Sequence, residues 1–131
     1  MTDKTANVLI ITSNNYWSTA IKHEITELAA AIVPNAQLNI TVLNERPTPG
    51  SEDYIDLCDL KPYSVVVTDG TVFSYDSQFG IILSKVQLGH LGIVQRVPVE
   101  TFRTHGELFP TAGKAHSLAK VALKKARNRL V

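Results

Sequence analysis

Short apolar runs rich in β-branched residues alternate along this chain with longer segments of helical periodicity. Four runs predict buried strands: 7–12, 36–43, 63–68 and 91–97. Four further segments predict helices: 16–33, 52–60, 77–88 and 114–130. A short fifth strand is expected near 101–103 or 107–109. This alternation is typical of parallel strands joined by crossover helices on both faces of one sheet. The sequence therefore predicts a single doubly wound α/β domain over residues 1–131, with about five parallel strands.

The first and last predicted helices each have a face that should enter the core. In the first helix, that face consists of Ile21, Ile25, Leu28, Ala29 and Ile32. In the last helix, we expect Leu118, Val121 and Ala122 to form the core stripe.

Composition places the chain among ordinary globular proteins. It has 131 residues, of which 44% are hydrophobic and 19% charged, enough for one domain with its own core. Cys58 is the only cysteine, which excludes an internal disulfide and favours a reducing compartment. The sequence shows no signal-peptide pattern and no apolar run near the roughly 20 residues of a membrane span. We therefore expect a cytoplasmic protein without membrane attachment.

Polar residues follow the predicted strands at their carboxyl ends, where open parallel sheets collect their functional groups. The candidate pocket consists of Thr12, Ser13, Asn14, Thr68, Asp69, Gly70 and Arg96. Tyr16 and Trp17 begin the next helix, where they could form the floor of a pocket or pack in the core.

The stretch around Asp69 resembles the receiver domain of two-component response regulators, which has a flavodoxin-like fold. An apolar strand, 65–68, ends at Asp69, and Asp76 follows seven residues later at the start of a predicted helix. Receivers have their phosphoacceptor aspartate at the first of these positions and an aspartate-glycine pair at the second. The order of elements also fits over nearly the whole chain. The resemblance implies that Asp69 is the equivalent of the phosphoacceptor.

The chain departs from receivers at three positions that carry chemistry. Residues 12–14 read Thr-Ser-Asn, where receivers have an acidic pair that helps to hold a divalent cation. Residues 95–97 read Gln-Arg-Val, where receivers have threonine or serine, and the proline of 108–110 lacks the preceding lysine. The four histidines show no metal-ligand spacing. We therefore expect no metal, no cofactor and no phosphorylation of Asp69.

This pattern predicts a pseudo-receiver: a non-catalytic signalling or regulatory domain that binds another protein. Three roles for Asp69 remain open at this point. It could cap a turn with Gly70, pair with Arg96 in imitation of an occupied state, or help to bind a small anion.

An enzymatic alternative comes from a second resemblance. Asp69-Gly70, Asp76-Ser77 and Phe79 are similar to the nucleoside deoxyribosyltransferases and their nucleotide-hydrolase relatives. Those enzymes have a nucleophilic glutamate after the phenylalanine, whereas this chain has Gly80. The alternative is therefore a nucleotide-binding or nucleoside-processing domain without that catalyst.

Charge is distributed unevenly along a chain whose net charge is only +1. The last 18 residues contain six basic residues and no acidic one, whereas 7 basic and 12 acidic residues precede them. We expect Lys120, Lys124 and Arg127 to contact a protein partner or a second copy of the chain. The segment has no aromatic residues for base stacking, so we do not expect nucleic-acid binding. The competing interpretation is a solvated helix with cations near its carboxyl end.

Overall fold

The strands and helices that the structure describes follow one another in an order consistent with the sequence prediction. The computed structural model describes residues 4–44, 62–69, 97–102 and 110–130. The strands are β1 (Thr5–Ile11), β2 (Gln37–Leu43), β3 (Val65–Thr68) and β4 (Val99–Thr101). The helices are α1 (Asn15–Ile32) and α2 (Ala112–Leu130). Among these described residues, no helix combines the length and the apolar composition that crossing a bilayer requires.

The four strands form one sheet in the order β2-β1-β3-β4, and every pair is parallel. Val8 of β1 lies between Ile40 of β2 and Val65 of β3 in the register. The first strand is therefore internal, as its continuous apolar run predicts. The chain is an α/β protein with a parallel sheet, in agreement with the predicted class.

The fourth strand differs from the prediction. The expected strand at 91–97 lies outside the described residues except for Val97, which is buried but precedes the strand. The strand that pairs with β3 is Val99–Thr101, which overlaps the short strand predicted near 101–103 at Thr101, whereas 107–109 lies outside the described residues. The described sheet therefore has four strands rather than about five. Pro98 starts this pairing with its carbonyl, which accepts from the Val66 N–H at 2.9 Å. A proline can occupy this position because its carbonyl can accept a hydrogen bond, although it has no N–H to donate to the sheet.

Both described helices pack on one face of the sheet. Val8, Ile10, Val65 and Val67 point towards this face and form one core cluster with residues of both helices. On the opposite face Leu9, Ile11 and Val66 are also fully buried, so the sheet is covered on both sides. The helices predicted at 52–60 and 77–88, which would complete the arrangement on both faces, lie outside the described residues.

The core face of α1 is the predicted one, but that of α2 is not. Ile21, Ile25 and Ile32 are buried as expected, and Leu28 and Ala29 pack against them. In α2 the buried residues are Ala115, Ala119, Ala122, Leu123 and Ala126. Ala122 was predicted and Leu118 is half-buried, but the prediction for Val121 was wrong, since it is 41% exposed. Four alanines at helical spacing let α2 approach α1 and the sheet closely. A prediction based only on the spacing of large apolar residues does not detect such a face.

Candidate functional site

The carboxyl ends of β1 and β3 bring two predicted site residues into contact. Ile11 and Thr68 are register partners at the ends of these strands, so the next residues, Thr12 and Asp69, leave the sheet side by side. The Thr12 hydroxyl donates a hydrogen bond to Asp69 Oδ2 at 2.9 Å. Thr12 is fully buried and Asp69 is half-buried. A neutral donor therefore contacts the carboxylate that the receiver resemblance singles out.

Thr12 also organises the turn between β1 and α1. Its hydroxyl oxygen accepts from the backbone N–H of Asn14 at 3.2 Å, and its own N–H donates to the Leu43 carbonyl at 3.0 Å. One buried threonine thus links β1, β2, the following turn and Asp69. Such a position needs both a donor and an acceptor on one small side chain, and a hydroxyl supplies both.

Asn14 acts as the N-cap of α1. Its side-chain oxygen accepts from the N–H groups of Tyr16 and Trp17 at 2.9 and 3.1 Å. This satisfies two of the backbone donors that a helix amino terminus leaves without partners. The predicted pocket residue Asn14 therefore has a structural role at the edge of the sheet.

Asn44 belongs to the same cluster, although the predicted set of site residues omits it. Its Nδ2 donates to the Thr12 carbonyl at 2.9 Å and to Ser18 Oγ at 3.0 Å. The Ser18 hydroxyl in turn donates to the Asn15 carbonyl at 3.1 Å. The signal that could have found Asn44 is its position directly after β2, at the same edge as Thr12. We call Thr12, Asn14, Asn44 and Asp69 the edge cluster.

An aromatic pair lies beneath the start of α1. The rings of Trp17 and Phe102 stack with centroids 5.3 Å apart and an interplanar angle of 24°. Trp17 is only 1% exposed, so it packs in the core, while its neighbour Tyr16 is 51% exposed. The pair borders an open cleft of about 550 Å³, whose lining also includes Thr101, Thr111, Lys114 and Ser117.

The structure describes five of the seven predicted pocket residues. It brings Thr12, Asn14 and Asp69 together, with the exposed Ser13 and the buried Thr68 next to them in the chain. Gly70 and Arg96 lie outside the described residues, so the predicted Arg96–Asp69 pair stays a prediction. Burial raises the pKa of the Tyr63 phenol, but Tyr63 precedes β3 and lies at the opposite edge of the sheet.

The chemistry open to the edge cluster is limited by its charge. Asp69 is its only carboxylate, and the other members are a threonine and two asparagines. In the described part of the chain, no three histidine, cysteine or acidic residues are grouped so that they could hold a metal ion. Every buried side-chain nitrogen or oxygen among the same residues has a hydrogen-bond partner. Within the edge cluster, hydrogen bonds join Thr12 to Asp69, to the Asn14 N–H and, through its carbonyl, to Asn44.

The predicted contact residues lie on α2, away from the edge cluster. This helix starts beside Thr101 and Phe102, at the carboxyl end of β4, and ends beside Lys4 and Ala36, at the amino ends of β1 and β2. Lys120, Lys124 and Arg127 are exposed and follow each other at i, i+4 and i+7. The described residues provide no carboxylate within ion-pair distance of any of the three.

Two other side chains of α2 are tied to the rest of the domain. Lys125 Nζ donates to the Val99 carbonyl at 2.8 Å and lies 3.2 Å from Glu100 Oε2. His116 Nδ1 lies 3.2 Å from Glu24 Oε2 on α1. One face of α2 is thus attached to β4 and α1, while the basic residues on its other face point to solvent.

Comparisons with protein-family models, with curated proteins and with solved structures find no match to this chain.

Proposed function

We propose that this chain is a receiver-like, non-catalytic signalling domain that works in the cytoplasm by binding another protein. The strand order β2-β1-β3-β4 supports this proposal, because it is the first part of the order 2-1-3-4-5 found in flavodoxin-like sheets. In that arrangement Asp69 follows the strand next to the central β1, the position at which receivers have their phosphoacceptor.

The hydrogen bond from Thr12 to Asp69 is the observation that carries the proposal. Transfer of a phosphoryl group to a carboxylate needs a divalent cation that offsets the charge of the incoming group. Magnesium is held by oxygen ligands, with carboxylates as its usual protein anchors. At this edge Thr12 offers Asp69 a neutral hydroxyl, and Asn14 uses its side-chain oxygen to cap α1. Neither residue adds the negative charge that would attract the cation.

The proposal predicts that Asp69 does not become phosphorylated. The test is incubation of the intact protein with acetyl phosphate and magnesium, followed by intact-mass measurement under conditions that preserve aspartyl phosphate. We expect the same mass for the wild type and for Asp69→Asn. A phosphate adduct on the wild type that is absent from Asp69→Asn would overturn the non-catalytic assignment.

A variant that restores the acidic pair makes this experiment sharper. Ser13 is exposed, and aspartate is as good an N-cap as asparagine, so Ser13→Asp with Asn14→Asp should preserve the fold. On a receiver-like scaffold, the double variant should bind magnesium more tightly than the wild type in a calorimetric titration. Asn14→Asp alone is the matched control. An unchanged magnesium affinity in the double variant would argue against the receiver-like placement of Asp69.

A nucleotide-binding domain is the second candidate, and the cleft beside Trp17 and Phe102 favours it. Its volume of about 550 Å³ falls in the range of small-molecule sites, and it opens at the carboxyl end of β4. A thermal-shift series with nucleoside mono-, di- and triphosphates distinguishes the two candidates. We expect no shift in melting temperature for the interaction domain. A saturable rise with one nucleotide that Lys114→Ala abolishes would favour the second candidate.

A further inference from the structure

The exposed side of α2 carries three basic residues, Lys120, Lys124 and Arg127, which we call the basic stripe. With a rise of 1.5 Å per residue, the stripe extends about 10 Å along the helix axis. Val121, which is 41% exposed, lies beside Lys120 and Lys124. The adjacent Lys125 is bound to β4, so the stripe is a separate surface from the attached face of the helix.

The arrangement of charge in the basic stripe does not stabilise the helix. Lys120 and Lys124 are four residues apart and Lys124 and Arg127 are three apart, and like charges at these spacings repel each other. The negative carboxyl end of the helix favours cations only in its last turn, which includes Arg127 but neither lysine. Charge interactions within the helix therefore give no reason for the two lysines.

The described part of the domain offers little negative charge to neutralise the stripe. Its carboxylates are Glu24, Glu27, Asp69 and Glu100. Three of them already have partners: His116 for Glu24, Thr12 for Asp69 and Lys125 for Glu100. The fourth, Glu27, lies within ion-pair distance of none of the three basic residues, so carboxylates that neutralise the stripe come from outside the described residues.

An apolar hollow adjoins the end of the stripe. It has a volume of about 180 Å³ and lies between the ends of α1 and α2, with Ile32, Val33, Pro34 and Leu130 in its lining and Arg127 among the residues around it. An apolar cavity of about 150 Å³ is large enough for a benzene molecule, so this hollow can hold one aromatic or branched side chain. Arg127 links the charged and the apolar parts of the surface.

From these features we propose that this surface binds an acidic amphipathic helix of a partner protein. Carboxylates at i, i+4 and i+7 of that helix contact the basic stripe, and one apolar side chain enters the hollow. The proposal specifies the partner of the interaction domain proposed above and rests on that function. Nucleic acid fits less well, because α2 lacks aromatic residues and the neighbouring α1 carries Glu24 and Glu27.

The probe is a fluorescein-labelled, alanine-based helical peptide with three glutamates at i, i+4 and i+7 and one phenylalanine a turn further on. Fluorescence anisotropy with the full chain should show saturable binding that weakens as salt is added. A peptide with glutamine for glutamate and one with alanine for phenylalanine should each bind more weakly. Lys124→Glu should weaken binding about tenfold or more, because it replaces attraction by repulsion at the centre of the stripe.

Lys22→Glu is the matched control, since Lys22 is exposed on α1 and the substitution changes the net charge equally. It should leave peptide affinity within about twofold, and circular dichroism should show that both variants are folded. Equal losses in the two variants, or no binding of the acidic peptide, would overturn the proposal. So would tighter binding of duplex DNA of similar length, which would make the stripe a polyanion site.

Self-association of the chain through the basic stripe is the remaining outcome that would contradict the proposal. Glu52, Asp56 and Asp59 of the chain itself have the spacing of the stripe, although they lie outside the described residues. Sedimentation velocity should show a monomer. An oligomer that Lys124→Glu dissociates would identify a second copy as the occupant. Phosphorylation of Asp69 is measured separately, so failure of the peptide test is distinguishable from failure of the proposed function.

Discussion

The polar groups of the edge cluster are hydrogen-bonded within the domain, whereas the charged groups of the basic stripe are exposed to solvent. At this edge of the sheet, hydrogen bonds connect Thr12, Asn14 and Asn44 with neighbouring strands, with the start of α1 and with Asp69. On α2, Lys120 and Lys124 stand in solvent, and no carboxylate of the described residues lies within ion-pair distance. The first region has a structural role, because its hydrogen bonds connect β1, β2, β3 and α1. The second is the surface for which we propose a binding partner.

This difference bears on where this domain contacts other molecules. Ligands of such folds normally bind outside the carboxyl ends of the strands. Here the only charged member of the edge cluster accepts a hydrogen bond from a buried hydroxyl, which holds it in place. Among the described residues, Lys120, Lys124 and Arg127 lie together on α2 without a carboxylate in ion-pair distance, which is why we propose α2 as the partner surface.

The largest expected effect follows from removing the hydroxyl group at the centre of the edge cluster. Thr12→Val keeps the shape of the side chain but takes the donor from Asp69 and the acceptor from the Asn14 N–H. Losing hydrogen bonds to half-buried groups, one of them a carboxylate, costs about 1–3 kcal/mol. Urea unfolding should therefore give a free energy of unfolding lower by that amount, with an unchanged m-value.

Thr26→Val is the matched control for this change. Thr26 is exposed on α1, and its hydroxyl donates only to the Lys22 carbonyl one turn earlier. Its loss should change the free energy of unfolding by less than about 0.5 kcal/mol. Equal stability of the two valine variants would show that the hydrogen bonds of Thr12 do not stabilise the domain.

A smaller difference in stability is expected between substitutions of two adjacent lysines of α2. Lys125→Met should lower the free energy of unfolding by about 1 kcal/mol, because it removes the contacts with the Val99 carbonyl and Glu100 while keeping the apolar stem. Lys124→Met should leave stability unchanged or raise it by about 0.2–0.5 kcal/mol, since it relieves repulsion with Lys120 and Arg127.

Salt provides the check on this pair of variants. Any gain from Lys124→Met should disappear in 1 M sodium chloride, where exposed charges are screened over about 3 Å. The Lys125→Met loss should persist in part, since its hydrogen bond to the Val99 carbonyl does not depend on a second charge. Equal losses for the two variants at low salt would contradict the distinction between the attached and the exposed face of α2.

Several elements of this structure could be predicted from local pattern alone. The apolar runs at β1, β2 and β3 and the capping residue Asn14 identify strands and a helix start. Parallel pairing then determines that Thr12 and Asp69 become neighbours, because parallel strands end at the same edge. The class of fold and the centre of the edge cluster therefore follow from residues close together in the chain.

Other elements depend on contacts between distant residues and were predicted only in part or not at all. A short strand was expected near 101–103 or 107–109, but the bounds of β4, Val99–Thr101, have no apolar pattern to indicate them, because the strand is three residues long and its pairing begins with the Pro98 carbonyl. Val121 was expected in the core, but it is 41% exposed, and the buried face of α2 consists of four alanines and Leu123. The different surroundings of Lys124 and Lys125 arise because β4 lies beside only one of them, and no local sequence signal reports this.

The central position of β1 has a consequence for the time course of folding. Its residues pair on one side with β2, as in Thr5 with Gln37, and on the other side with β3, as in Val8 with Val65. The second pairing closes a loop of 57 positions, and such non-local contacts slow the search for the native state. Until β3 is synthesised, one edge of β1 offers unpaired backbone groups and the side chains of a largely apolar strand to other chains. The interval between synthesis of β1 and synthesis of β3 is therefore when this domain is most exposed to aggregation.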